Sequence, residues 1–260
     1  MAQDDTFGTN SSYAESSNGV EPLAAQVITM LCERQTVSAA GVRQIALDYL
    51  GRSILARDGF DAARVLDELR GYRLTVDAII DLYIPQAALL LGEMWKRSDI
   101  TFADVTIGSL RLQALLGEAS HGLVWIGQTP TNALHALIVV SEGEQHFLGA
   151  SVVAAQLRRS GCDVSLSISE TRKQILSRVK SDHPDMILLS CARLGALETI
   201  TKTVKNIKAI GDRTPVLALG GAVRGKIDAI KKQTGVDMVT NSATEVLSFC
   251  VKRKKALGYI

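Results

Sequence analysis

From about residue 133 to the end, short apolar runs alternate with helical patterns five times. The runs are 133–141, 162–168, 185–191, 215–220 and 236–240; the stretches 147–160, 170–182, 194–210, 225–233 and 243–256 carry helical spacing. Short, nearly continuous apolar strands separated by helices imply a parallel sheet covered on both faces. Crossovers of this length close right-handed βαβ units. The predicted strand order is 2-1-3-4-5, with a ligand at the carboxyl ends of the strands, near the switch between the first and third. The class is therefore α/β, a doubly wound five-stranded parallel sheet of Rossmann or flavodoxin type.

The preceding part reads differently. Helical spacing runs through Ala24–Leu31, Ala39–Leu55, Asp61–Gly71, Thr75–Trp95 and Phe102–Gly122. Residues 1–20 are rich in Ser, Asn, Asp and Gly, a composition that predicts disorder. The expected organisation is a disordered start (1–20), a helical domain (21–127) and the α/β domain (128–260), which 260 residues at 47% hydrophobic content can sustain. A net charge of +2 gives no global drive toward nucleic acid. The one basic cluster, Lys252-Arg253-Lys254-Lys255, is expected to end the last helix as a solvated group. Four widely spaced Cys, with no zinc pattern, no leader and no 18-residue apolar span, suit a cytoplasmic protein that does not enter a membrane.

Three short motifs fall where the fold places a ligand. Glu144-Gln145-His146-Phe147-Leu148-Gly149 follows the first strand. A carboxylate two residues before a His can fix one tautomer and leave the other ring nitrogen free to bind a metal. An ordinary hydrogen-bonded His is the competing reading. Ser190 ends the third strand, where it could also cap the next helix. Gly220-Gly221 ends the fourth, and would serve equally as a turn needing positive φ. No GxGxxG follows a strand and no GxxxxGK[ST] occurs, so dinucleotide and P-loop readings lack their glycines. No Ser-His-Asp set, HExxH or paired carboxylate is evident, so the chain is not expected to be an enzyme on its own.

Acid-x-His-x-x-Gly, then a Ser motif, then Gly-Gly resembles the tripartite signature of the cobalamin-binding domain family over roughly residues 61–258. The resemblance implies that His146 replaces the cofactor's own base beneath cobalt. It also implies that the displaced nucleotide tail enters a slot bordered by Ser190-Cys191-Ala192 and Gly220-Gly221. Ala192 stands where the family usually has Leu.

Residues 83–95 resemble the helical cap that covers the upper face of cobalamin in some members, with Trp95 at the covering position; a Trp buried between helices is the alternative. CarH-like light sensors carry Trp, nine residues and then Glu-His, whereas Val105-Thr106 stand here, and Lys96 replaces their His after the Trp. The resemblance therefore implies a small upper ligand, water or hydroxide, in place of adenosyl. A cap and cobalamin domain with no helix-turn-helix in front resemble the AerR/PpaA family of photosynthesis-gene antirepressors. That implies a regulator, with a response to light open, acting through a CrtJ/PpsR-type repressor and touching DNA mainly indirectly. Corrinoid methyl carriers share the plan and are the alternative; a haem-binding relative is a third reading, since His146 could ligate iron.

Overall fold

The computed structural model describes residues 41–121, 133–141, 147–191, 194–211, 214–221 and 226–257. The expected disorder of 1–20 and the Ala24–Leu31 helix lie outside the described residues. Contacts divide the chain between Asp48 and Tyr49, inside the first helix, and the larger unit runs from Tyr49 to Ile260.

The helical part comprises α1 (Gln44–Leu55), α2 (Ala62–Gly71), α3 (Val76–Lys96) and α4 (Phe102–His121). Asp61 caps α2, its side chain accepting from the Ala63 and Arg64 N–H groups. Thr75 caps α3 through Ala78 N–H. The sequence predicts one regular helix over Thr75–Trp95; instead α3 contains a π turn at Ile79–Tyr83. Pro85 is the cause. It cannot donate to the Asp81 carbonyl four residues back, and its ring crowds that carbonyl. The helix widens by one residue, and Ile84 N–H bonds to Ile79 O in the i→i−5 pattern.

The α/β part comes next: β1 (His135–Val140), α5 (Leu148–Arg159), β2 (Asp163–Ile168), α6 (Arg172–Asp182), β3 (Met186–Ser190), α7 (Leu197–Lys208), β4 (Val216–Gly220), α8 (Ile227–Thr234), β5 (Met238–Val239) and α9 (Ala243–Ala256). All pairings are parallel, and the order is β2-β1-β3-β4-β5, as expected. Alternate residues feed two cores. Ala136, Ile138, Val140, Met186 and Leu188 face α5 and α9 through Ala154, Leu157 and Val246. Leu137, Val139, Ile187 and Leu189 face the other layer through Val179, Ile200, Val204 and Ile230. Burial on both faces explains why the sequence shows apolar runs in the central strands.

Two aspartates set the amino edge. Asp185 precedes β3; its carboxylate accepts His135 N–H at 2.9 Å and the Lys254 ammonium at 2.8 Å. Asp237 precedes β5; its carboxylate accepts Leu217 N–H at 2.8 Å and the Arg253 guanidinium at 3.4 Å. Each satisfies a strand-end N–H that has no ladder partner and ties α9 to the sheet. The basic cluster is therefore not simply solvated, because Arg253 and Lys254 are committed to these carboxylates.

Candidate functional site

Register brings two of the three motifs together. Val140, Ser190 and Gly220, the last residues of β1, β3 and β4, stand side by side at the carboxyl edge. Since β1 leads outward to β2 and β3 leads outward to β4, this is the topological switch, where a ligand enters an open α/β sheet. Glu144, Gln145 and His146 lie outside the described residues, as does Ala192. The chain leaves the centre of the edge at Val140 and is described again at Phe147, which packs against the core as the residue before α5. Leu148 opens α5 and Gly149 is its second residue. Among the described residues, a Cβ at Gly149 would meet nothing within 4 Å.

The glycine pair differs. A Cβ on Gly220 would lie 2.9 Å from Thr240 O and 3.1 Å from Asn241 Oδ1. Gly221 has φ +110°, and a Cβ there would lie 2.9 Å from the carbonyl carbon of Cys191 and overlap its oxygen. Cys191 is buried, and its N–H donates to Gly220 O at 2.9 Å. The expectation that this pair clears backbone for a ligand tail is thus joined by a nearer cause: β4 is pressed against the chain leaving β3 and β5. Ser190 is half-buried and is not a helix cap. A 3-10 turn (Leu194–Ala196) intervenes, and Ala196 holds the position before α7.

Sequence reasoning missed Asn241. Its Oδ1 accepts Gly221 N–H at 2.6 Å and its Nδ2 donates to Gly221 O at 3.3 Å. An Asn after a two-residue strand reads in a sequence as an ordinary turn residue; only the parallel topology reveals its neighbour. A cavity of about 330 Å³ is lined by Asn241 with Ser242 and Thr244 at the start of α9, Gln156, Arg159 and Ser160 at the end of α5, and Asp77 and Asp81 of α3. Arg159 bridges the two carboxylates, at 2.6 Å to Asp77 and 2.5 Å to Asp81, and Gln156 donates to Asp81 at 3.1 Å. Asp81 belongs to the π turn, so the widened turn carries the polar link between the helical part and the sheet.

Trp95 is not buried between helices: it is 51% exposed near the end of α3, with its ring tilted against Phe102 at a centroid distance of 6.5 Å. Phe102 is 67% exposed. Lys96 is paired with Glu93 at 2.6 Å, which lowers the Glu93 carboxyl below its usual range. Among the described residues no three His, Cys, Asp or Glu side chains converge as a metal site, and no single helix is long and apolar enough to cross a membrane.

Ser190, Gly220 and Gly221 keep large side chains off the switch point, as a large planar cofactor at that edge requires. The B12 binding domain family model matches residues 134–248, spanning the whole sheet. The Methanosarcina barkeri monomethylamine corrinoid protein has the same fold, with a TM-score of 0.64 over 80% of this chain and 96% of that one at 14% identity. The chain is thus a B12-binding-domain protein with a helical region in front of the domain. It is also 32% identical over 185 residues to a Rhodobacter capsulatus protein, described as an uncharacterized 20.5 kDa protein in the bchF-crtJ intergenic region. That alignment covers 71% of this chain and 96% of the relative. The chain belongs to this AerR-like family.

Proposed function

We propose that the protein is a cobalamin-dependent regulator that acts through another protein. The observation that supports this reading is the register that sets Ser190 beside Gly220, with the end of β1 at Val140 next to them, at the switch point of a B12-binding domain. Cobalamin would supply a cobalt that exchanges ligands. His146 would ligate it in place of the cofactor's own base, with Glu144 fixing the imidazole tautomer. Gln145, Phe147, Leu148 and Gly149 would border the lower face of the ring. Ser190, Cys191, Ala192, Gly220 and Gly221 would border the displaced nucleotide tail. Trp95 would cover the upper face, where water or hydroxide fits the absence of the Glu-His pair seen in adenosyl-binding light sensors.

The output is antirepression of a CrtJ/PpsR-type repressor, in the cytoplasm, with DNA reached mainly through that partner. Membership with a relative encoded beside crtJ supports this. No catalytic step by the chain itself is proposed. The methyl-carrier reading is favoured by the likeness of fold to a corrinoid protein. The two separate in one experiment: the loaded protein, with and without illumination, is added to a repressor–operator complex and, separately, to a corrinoid methyltransferase with a thiol acceptor. Release of operator DNA supports the regulator; methyl transfer without any effect on the repressor supports the carrier.

A further inference from the structure

Asn241 lies outside all three motifs, yet it holds the backbone that two of them share. Its amide makes both hydrogen bonds to the peptide groups of one residue, Gly221, as a strand partner would. β5 ends its own ladder at Thr240 N–H to Leu219 O, 2.9 Å, and Asn241 extends that ladder by a side chain. The Asn241 backbone is fixed in turn. Thr240 Oγ1 donates to Glu245 at 2.5 Å and accepts Ser242 N–H at 3.1 Å, and Ser242 caps α9. On its far side Gly221 abuts Cys191, next to Ser190. Three strand ends, β3, β4 and β5, are therefore pinned through one amide, which also lines the cavity beside α5 and α9.

We infer that Asn241 is a positioning residue that sets selectivity for corrinoids carrying the nucleotide tail, by holding the Gly221 peptide against Cys191 so that the slot beside Ser190 keeps its width. The inference rests on the reading of Ser190 and Gly220-Gly221 as the tail slot. Without the amide, Gly221 is free to swing, as only glycine can from φ +110°. The ring-binding surface at Gly149 belongs to α5 and does not depend on that clasp.

The test compares two ligands that share the corrin ring and differ in the tail, aquocobalamin and diaquocobinamide, titrated by absorbance into wild-type protein, Asn241→Ala and Asn241→Asp. Asn241→Ala is expected to bind aquocobalamin at least tenfold more weakly while binding diaquocobinamide within twofold of wild type. Asn241→Asp keeps the 2.6 Å acceptor and is expected to recover most of the preference. If Asn241→Ala melts too low to titrate, Asn241→Asp carries the test through a smaller but measurable loss of preference, since it cannot donate to Gly221 O. Equal weakening for both ligands, or an unchanged preference in a folded variant, overturns the assignment. Wild-type protein binding neither corrinoid overturns the cobalamin reading itself.

Discussion

Gly221 is fitted against the backbone of Cys191 so closely that a Cβ would overlap the Cys191 carbonyl oxygen, whereas a Cβ at Gly149 meets nothing within 4 Å among the described residues. These two glycines therefore respond to substitution in opposite ways. Gly221→Val combines a left-handed φ with a backbone clash and is expected to cost about 2–5 kcal/mol, read as a lowered urea midpoint. Loss of cobalamin uptake in that variant would then result from misfolding.

Gly149→Ala separates site from fold. An added methyl in the first turn of α5 meets none of the described residues and is expected to be neutral or to stabilise the free protein by up to about 1 kcal/mol. The same methyl would stand where the corrin ring approaches, so cobalamin affinity should fall severalfold. A more stable protein with undiminished affinity would place the ring elsewhere.

The Arg159 link should be hard to replace. Arg159→Ala leaves Asp81 facing the cavity without its cation and is expected to cost about 1–3 kcal/mol. Arg159→Lys should recover little, because an ammonium cannot fork across Asp77 and Asp81 as a guanidinium does. Hydrogen exchange at Ile79–Tyr83 would report the loosening.

How much of this the sequence carries depends on the range of each interaction. Strand order and the alignment of Ser190 with Gly220 were legible because burial on both faces leaves apolar runs and parallel crossovers admit few topologies. Helix ends were legible to within a few residues, as at Asp61 and Ser242, because capping is local. The π turn was not read, although Pro85 in the middle of the helical pattern marks it, because an interior Pro signals a break or kink without fixing the form it takes. The roles of Asp185, Asp237 and Asn241 were hidden because their partners lie 16 to 69 residues away.

Cys162 and Cys250 are buried, and burial, reinforced by Asp185, pushes each thiol up to about 11. A group whose folded pKa is raised contributes stability that is complete below its unfolded pKa and is lost as pH climbs toward the folded value. Stability should thus decline between about pH 9 and 11, and Cys162→Ala should soften that decline. In the native protein at pH 8, iodoacetamide should leave both thiols unmodified by mass spectrometry, because the reactive thiolate is disfavoured. Rapid alkylation of either would contradict their burial.

The proposed cobalamin site at this sheet edge depends on His146. The most direct measurement is the absorption spectrum of the protein loaded with aquocobalamin, compared with His146→Ala. A base-off spectrum with an imidazole on cobalt is expected in the wild type, lost in the variant together with most of the affinity. An identical spectrum and affinity in both proteins would contradict this role.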